Sequence, residues 1–162
     1  MPISDIYTGS GTVTASTTSA TPLCSLITPA TKRAFIVGIR IGIGATSYIA
    51  GNALFQLLVL GNAGSVTLGT SGTVTNDLTN TAIASLASFK YAGGTAYGVA
   101  PTTSTSVLWQ QELPQTTGSS WEEFPPLGYE YVVPVSVGVG IFVTAAGTAA
   151  SQTYNVEIIW SE

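Results

Sequence analysis

Residues 135–144 read VSVGVGIFVT, and Val135, Val137, Val139, Ile141 and Val143 alternate there with Ser136, Gly138, Gly140, Phe142 and Thr144. A period of two sends successive side chains to opposite faces of an extended chain, where β-branched residues pack well. The same stretch decides against a rival reading. Residues 41–76 and 131–151 carry no charge, so hydropathy alone would suggest membrane spans. Alternating glycine and β-branched residues propagate helices poorly, and the pattern predicts strands and no membrane partner.

Two other segments repeat the pattern. Phe35, Val37, Ile39, Ile41 and Ile43 form an apolar row, with Ala34, Ile36, Gly38, Arg40 and Gly42 expected on the other face. Near the terminus, Tyr154, Val156, Ile158 and Trp160 alternate with Thr153, Asn155, Glu157 and Ile159. Less regular apolar runs lie at 23–28, 54–60, 83–91 and 105–113, separated by turn-rich stretches such as GNAGS (61–65), TSGTVTND (70–77) and AGGTAYG (92–98). Prolines 22, 29, 101, 114, 125, 126 and 134 all fall between or at the ends of these runs, where a missing backbone donor does not interrupt a ladder.

These observations predict an all-β protein, an antiparallel β-sandwich of about eight strands that is jelly-roll-like. Residues 1–22 are expected to be an N-terminal arm or a weak edge strand over 11–15, and 23–162 a single sandwich domain. Only 80–90 could hold a helical turn.

Charged residues are 7% of the 162, with four Lys and Arg against eight Asp and Glu and a net charge of −4. Such a neutral surface does little to hold copies apart and implies a permanent assembly. Four cations are too few to track a phosphate backbone, so nucleic acid is not expected as a partner. Cys24 is the only cysteine; no intrachain disulfide is possible, and a thiol between Leu23 and Leu26 reads as a small core residue. The first ten residues, MPISDIYTGS, show no basic and apolar leader pattern, so synthesis in a cytoplasm is expected.

The chain contains no histidine. That removes the commonest general base and metal ligand, and with it the zinc, Ser-His-Asp and Cys-His readings. No phosphate-cradling glycine motif follows a strand and opens a helix. Asp77 with Asn76 and Asn80 offers a single carboxylate to calcium, and reads more simply as a polar turn. Glu112, Glu122, Glu123 and Glu130 could serve a glycosidase, but adjacent Glu122 and Glu123 point to opposite sides of an extended chain. No catalytic residue, cofactor or metal is therefore assigned, and the chain is not expected to be an enzyme.

The densest cluster of unusual residues is SSWEEFPPLGYEYVVP (119–134), which mixes three carboxylates with aromatics and prolines. It reads as a joint between strands. Trp109, Trp121, Glu122, Glu123, Tyr129 and Glu130, with the basic pair Lys32 and Arg33 ahead of a strong strand, are the candidate protein-interface residues.

Three segments, LITPATKRAFIVGIRIG (26–42), WEEFPPLGYEYVVP (121–134) and NVEIIWSE (155–162), make the chain resemble the head decoration, or cement, proteins of tailed bacteriophages. The resemblance implies a jelly-roll-like structural virion protein on the capsid exterior, made in the host bacterial cytoplasm. It further implies homotrimers that clamp neighbouring major capsid protein subunits by binding energy alone. The alternative is a tail- or fibre-associated glycan-binding β-sandwich module, using Trp109, Trp121 and Tyr129 as stacking platforms.

Overall fold

The computed structural model describes residues 5–16, 21–44, 51–61, 67–68, 70–76, 84–92, 97–99, 102–116, 118–145 and 151–162. Fourteen strands and no helix occur among them: β1 (Ile6–Ser16), β2 (Cys24–Ile27), β3 (Ala34–Gly44), β4 (Asn52–Leu60), β5 (Thr67–Leu68), β6 (Thr70–Ser71), β7 (Thr73–Asn76), β8 (Ser88–Tyr91), β9 (Tyr97–Val99), β10 (Thr103–Pro114), β11 (Ser120–Glu123), β12 (Tyr131–Val133), β13 (Gly138–Ala145) and β14 (Ser151–Ser161).

All pairings are antiparallel, and two sheets dominate. The first runs β11-β3-β14-β1-β7, with β12 also on β3; the second runs β10-β4-β13-β2-β8-β6. The chain crosses between the sheets at nearly every step. Its eight main stations are β1, β2, β3, β4, β10, the pair β11 and β12, β13, and β14. They give facing sheets of order β1-β14-β3-β11/β12 and β2-β13-β4-β10, which is a jelly roll. The remaining short strands belong to the long connection 61–102, which adds β7 beside β1 and β8 beside β2, while β5 and β9 pair with each other.

The core lies between the sheets. β14 fills it as its alternation predicts: Tyr154, Val156, Ile158 and Trp160 are all buried. Trp160 stacks between Tyr7 and Phe89, with ring centroids at 5.9 and 6.4 Å. Val139, Ile141 and Val143 of β13 and Cys24 of β2 face the same interior, so Cys24 packs as a small apolar residue, its thiol pushed up by burial.

Three sequence expectations are corrected. In β3, Ile159 pairs with Gly38 and Trp160 with Ile36, leaving Val37 as an extra residue. This bulge changes the side on which the alternation falls. Ala34 and Ile36 are buried before it and Ile39, Ile41 and Ile43 after it, while Phe35 and Val37 are only half-buried.

The strand expected over 135–144 begins at Gly138 instead. Pro134 cannot donate to a ladder, and Ser136 adopts a left-handed φ of 57°, so residues 134–137 turn. Thr28 stitches the corner. Its buried hydroxyl contacts the carbonyls of Pro134 and Val137 and accepts from Val137 N at 3.2 Å, while Ser136 N donates to the Pro29 carbonyl at 3.1 Å.

Of the two readings of residues 1–22, the described part is a strand, and a longer one than its alternation indicated. β1 pairs with β14 along its full length, from Ile6 opposite Ser161 to Ser16 opposite Ser151. Of the possible helical turn, 80–83 lie outside the described residues, and 88–91 form β8.

Candidate functional site

The outer faces of the two sheets differ. On the second sheet, Leu58 and Leu60 of β4 and Phe142 of β13 point outward yet are buried together, with Ile27 packed against them. Tyr97, from the long connection, reaches onto this face, its hydroxyl 3.2 Å from Ser25 Oγ and 3.3 Å from the Lys90 carbonyl.

The outer face of the first sheet is built of short polar side chains in cross-strand rows. One row runs Ser10, Glu157, Arg40, Glu122 across β1, β14, β3 and β11; the next runs Thr12, Asn155, Gly42, Ser120. Arg40 joins both neighbours, with Nη1 2.7 Å from Glu157 Oε1 and Nε 3.4 Å from Glu122 Oε1. Pairs this exposed contribute about 0–1 kcal/mol each, so they orient the row more than they stabilise the fold. Thr12 Oγ1 donates to Asn155 Oδ1 at 2.9 Å. Between the rows lies an open depression of about 360 Å³ lined by both of them; Trp121, between Ser120 and Glu122, alternates toward the side of Ile41.

Phe124 closes the Arg40 end. Its ring lies against Gly38, where a Cβ would stand 2.7 Å from Phe124 Cε1, and the Arg40 guanidinium sits 5.3 Å from the ring centroid. Glycine at 38 is therefore what lets the ring rest on the sheet.

Next comes the free edge. Among the described residues β11 and β12 each pair only with β3, with Trp121 opposite Ile41, Glu122 opposite Arg40 and Val133 opposite Ala34. Between them, 124–130 leave the sheet. Tyr129 N donates to the Pro126 carbonyl at 2.9 Å, Gly128 takes a φ of 89°, and its N donates to both Glu130 carboxylate oxygens at 2.9 and 3.0 Å. That backbone donor holds the Glu130 carboxyl below its usual range.

Nine large apolar side chains are exposed among the described residues, and six of them, Trp121, Phe124, Leu127, Tyr129, Val132 and Val135, fall in this one segment. Leu127 is 94% exposed and Tyr129 77%. Such a concentration on one edge marks a contact surface.

The candidate interface residues therefore separate. Trp121, Glu122, Glu123, Tyr129 and Glu130 share the edge, and Lys32 and Arg33 stand exposed just before Ala34, at its β12 end. Trp109 does not join them. A bulge between Val107 and Trp109 in β10 turns it into the core, 9% exposed. Glu112 also lies on β10, in the other sheet, so the four candidate carboxylates do not converge. Glu122 instead shares Arg40 with Glu157, which alternation placed on a strand but no motif marked. Leu127, Val132 and Val135 were missed as surface groups because their residue type reads as core.

Among the described residues no group of three metal-ligating side chains occurs, and no helix is long and apolar enough to cross a membrane. Asp77 and Asn80 lie outside the described residues. No family model matches the chain, and neither does any curated protein or solved structure.

Proposed function

We propose that this chain is a structural virion protein, a decoration protein that binds the outside of a tailed-bacteriophage head and holds neighbouring major capsid protein subunits together. The observation that carries the reading is the concentration of exposed apolar side chains on one edge of a jelly roll whose composition lacks histidine and is poor in charge. The three segments resembling phage cement proteins include that edge.

The mechanism is binding alone. A protein that engages the assembled shell but not the separated subunits shifts the equilibrium toward the shell, more strongly when one copy or oligomer bridges several subunits. No catalytic step, cofactor or metal enters this reading.

Electron microscopy of the purified protein mixed with undecorated phage heads tests it. Ordered extra density on the capsid exterior is the expected result; bare capsids at saturating protein would overturn it.

A second reading, a glycan-binding module of a tail or fibre, is favoured by the polar depression lined by Arg40, Asn155 and Glu157, with Trp121 exposed on the neighbouring edge as its stacking platform. It loses Trp109, which is in the core. Glycan-array binding abolished by Trp121→Ala would establish it, and flat arrays would remove it.

A further inference from the structure

We propose that two copies of this chain pair across the β11/β12 edge, antiparallel about a two-fold axis. The inference goes beyond the capsid reading and differs from the trimer that the resemblance implies.

Charge orients the contact. The side chains of Lys32, Arg33 and Glu123 make no hydrogen bond or ion pair among the described residues, whereas Arg40 is held by Glu122 and Glu157. These groups stand at the two ends of the stretch that carries the 124–130 excursion: Glu123 lies opposite Ile39 of β3, where β11 gives way to the excursion, and Arg33 immediately precedes Ala34, opposite which β12 ends. At a rise of about 3.3 Å per residue, the ends are about 17–20 Å apart. Between them project Leu127 and Tyr129, the two most exposed large apolar residues described.

An apolar centre with a charged rim is the anatomy of a protein interface. Here the rim is cationic at one end and anionic at the other, so the geometry selects the partner's orientation. A two-fold axis through the centre brings the Lys32 and Arg33 end of each copy to the Glu123 end of the other and covers both apolar centres. Three parallel edges around an axis would gather like charges. A head-to-tail triangle would join the ends but leave the centres open. Direct strand addition is blocked by Pro125, Pro126 and Pro134 and by the excursion of 124–130 from the sheet, so the contact is made by side chains.

Sedimentation velocity on the full chain is the test, with three variants: Lys32→Glu with Arg33→Glu, Glu123→Lys, and Leu127→Ser with Tyr129→Ser. The wild type is expected to be a dimer, each charge-reversed variant to dimerise at least about tenfold more weakly, and the apolar variant to be monomeric. Mixing the two charge-reversed variants restores the dimer, which also shows that both are folded. A wild-type monomer or trimer, unchanged variants, or a mixture that stays monomeric would each overturn the proposal. Capsid binding is read separately by microscopy, so a dimer that leaves capsids bare would refute the decoration reading and leave this one standing.

Discussion

The two outer faces of the sandwich differ in who covers them. On the second sheet the chain covers its own apolar residues: Leu58, Leu60 and Phe142 are buried, and Tyr97 of the long connection bonds to that face. On the first sheet the face is polar and self-paired through Arg40, and the exposed apolar residues gather at its free edge. The contrast teaches that apolar content does not by itself mark an interface. What marks one is apolar surface for which the described chain supplies no cover.

Phe142→Ala probes the covered face most strongly. It is expected to destabilise by about 3–5 kcal/mol, because a buried ring is removed and its site collapses only in part; a melting temperature unchanged from wild type would erase the contrast between faces. Thr28→Val should cost about 1–3 kcal/mol in denaturant unfolding, since it strips the bonding from a buried corner beside the edge. Tyr97→Phe is expected to lose about 1 kcal/mol, the net value of a hydroxyl pairing, with no effect on self-association; weaker association would show that the two faces are coupled.

The connection's other tie predicts a pH dependence. Burial pushes the Glu162 carboxyl up, but Ser85 Oγ, the backbone N of Ala87 and Leu86, and the Trp160 indole all donate to it, and together they hold it below the ordinary value of 4.5. The folded state therefore binds this proton less readily than the unfolded state. The contribution is complete above the ordinary glutamate range and fades as pH falls through the lowered folded value. Thermal melts on the acid side should decline more steeply for wild type than for Glu162→Gln; equal slopes would remove Glu162 as a tie. The smallest stability effect belongs to the edge itself. Leu127→Ser should change unfolding free energy by no more than about 0.5 kcal/mol, because the side chain is almost wholly in solvent; a larger loss would mean that the edge serves the monomer.

Much of the fold was legible because alternation is a strong signal wherever a strand buries one face. Tyr154 to Trp160 and Val139 to Val143 carried it without error, and the spacing of the strand-like runs with no convincing amphipathic helix led to the sandwich. The failures have local physical causes. Bulges at Val37 and between Val107 and Trp109 change which side faces the core, and a bulge leaves no mark in composition. Ser136 in a left-handed turn shortened β13, although nothing in VSVGVG marks that residue. The candidate edge was half legible. WEEFPP announced its aromatics and carboxylates, but nothing in the sequence marks Leu127, Val132 and Val135 as surface groups, and only the sheet order shows them uncovered. Arg40's link to Glu157 required the register between β3 and β14, two strands separated by more than a hundred residues.

Val37 has a consequence larger than its own contacts. It divides β3 into two phases, so the strand behaves like a seam where a fabric is turned. Upstream of it the even-numbered residues line the interior, and downstream the odd-numbered ones do. Were β3 to run through Val37 without the bulge, one half would have to turn over, sending either Ala34 and Ile36 out into solvent or Arg40 into the apolar interior with its two carboxylate partners left behind, whereas deleting Val37 would leave both halves on their present faces. The bulge that absorbs a half-buried valine thus keeps the hub of the polar face on the outer side of the wall.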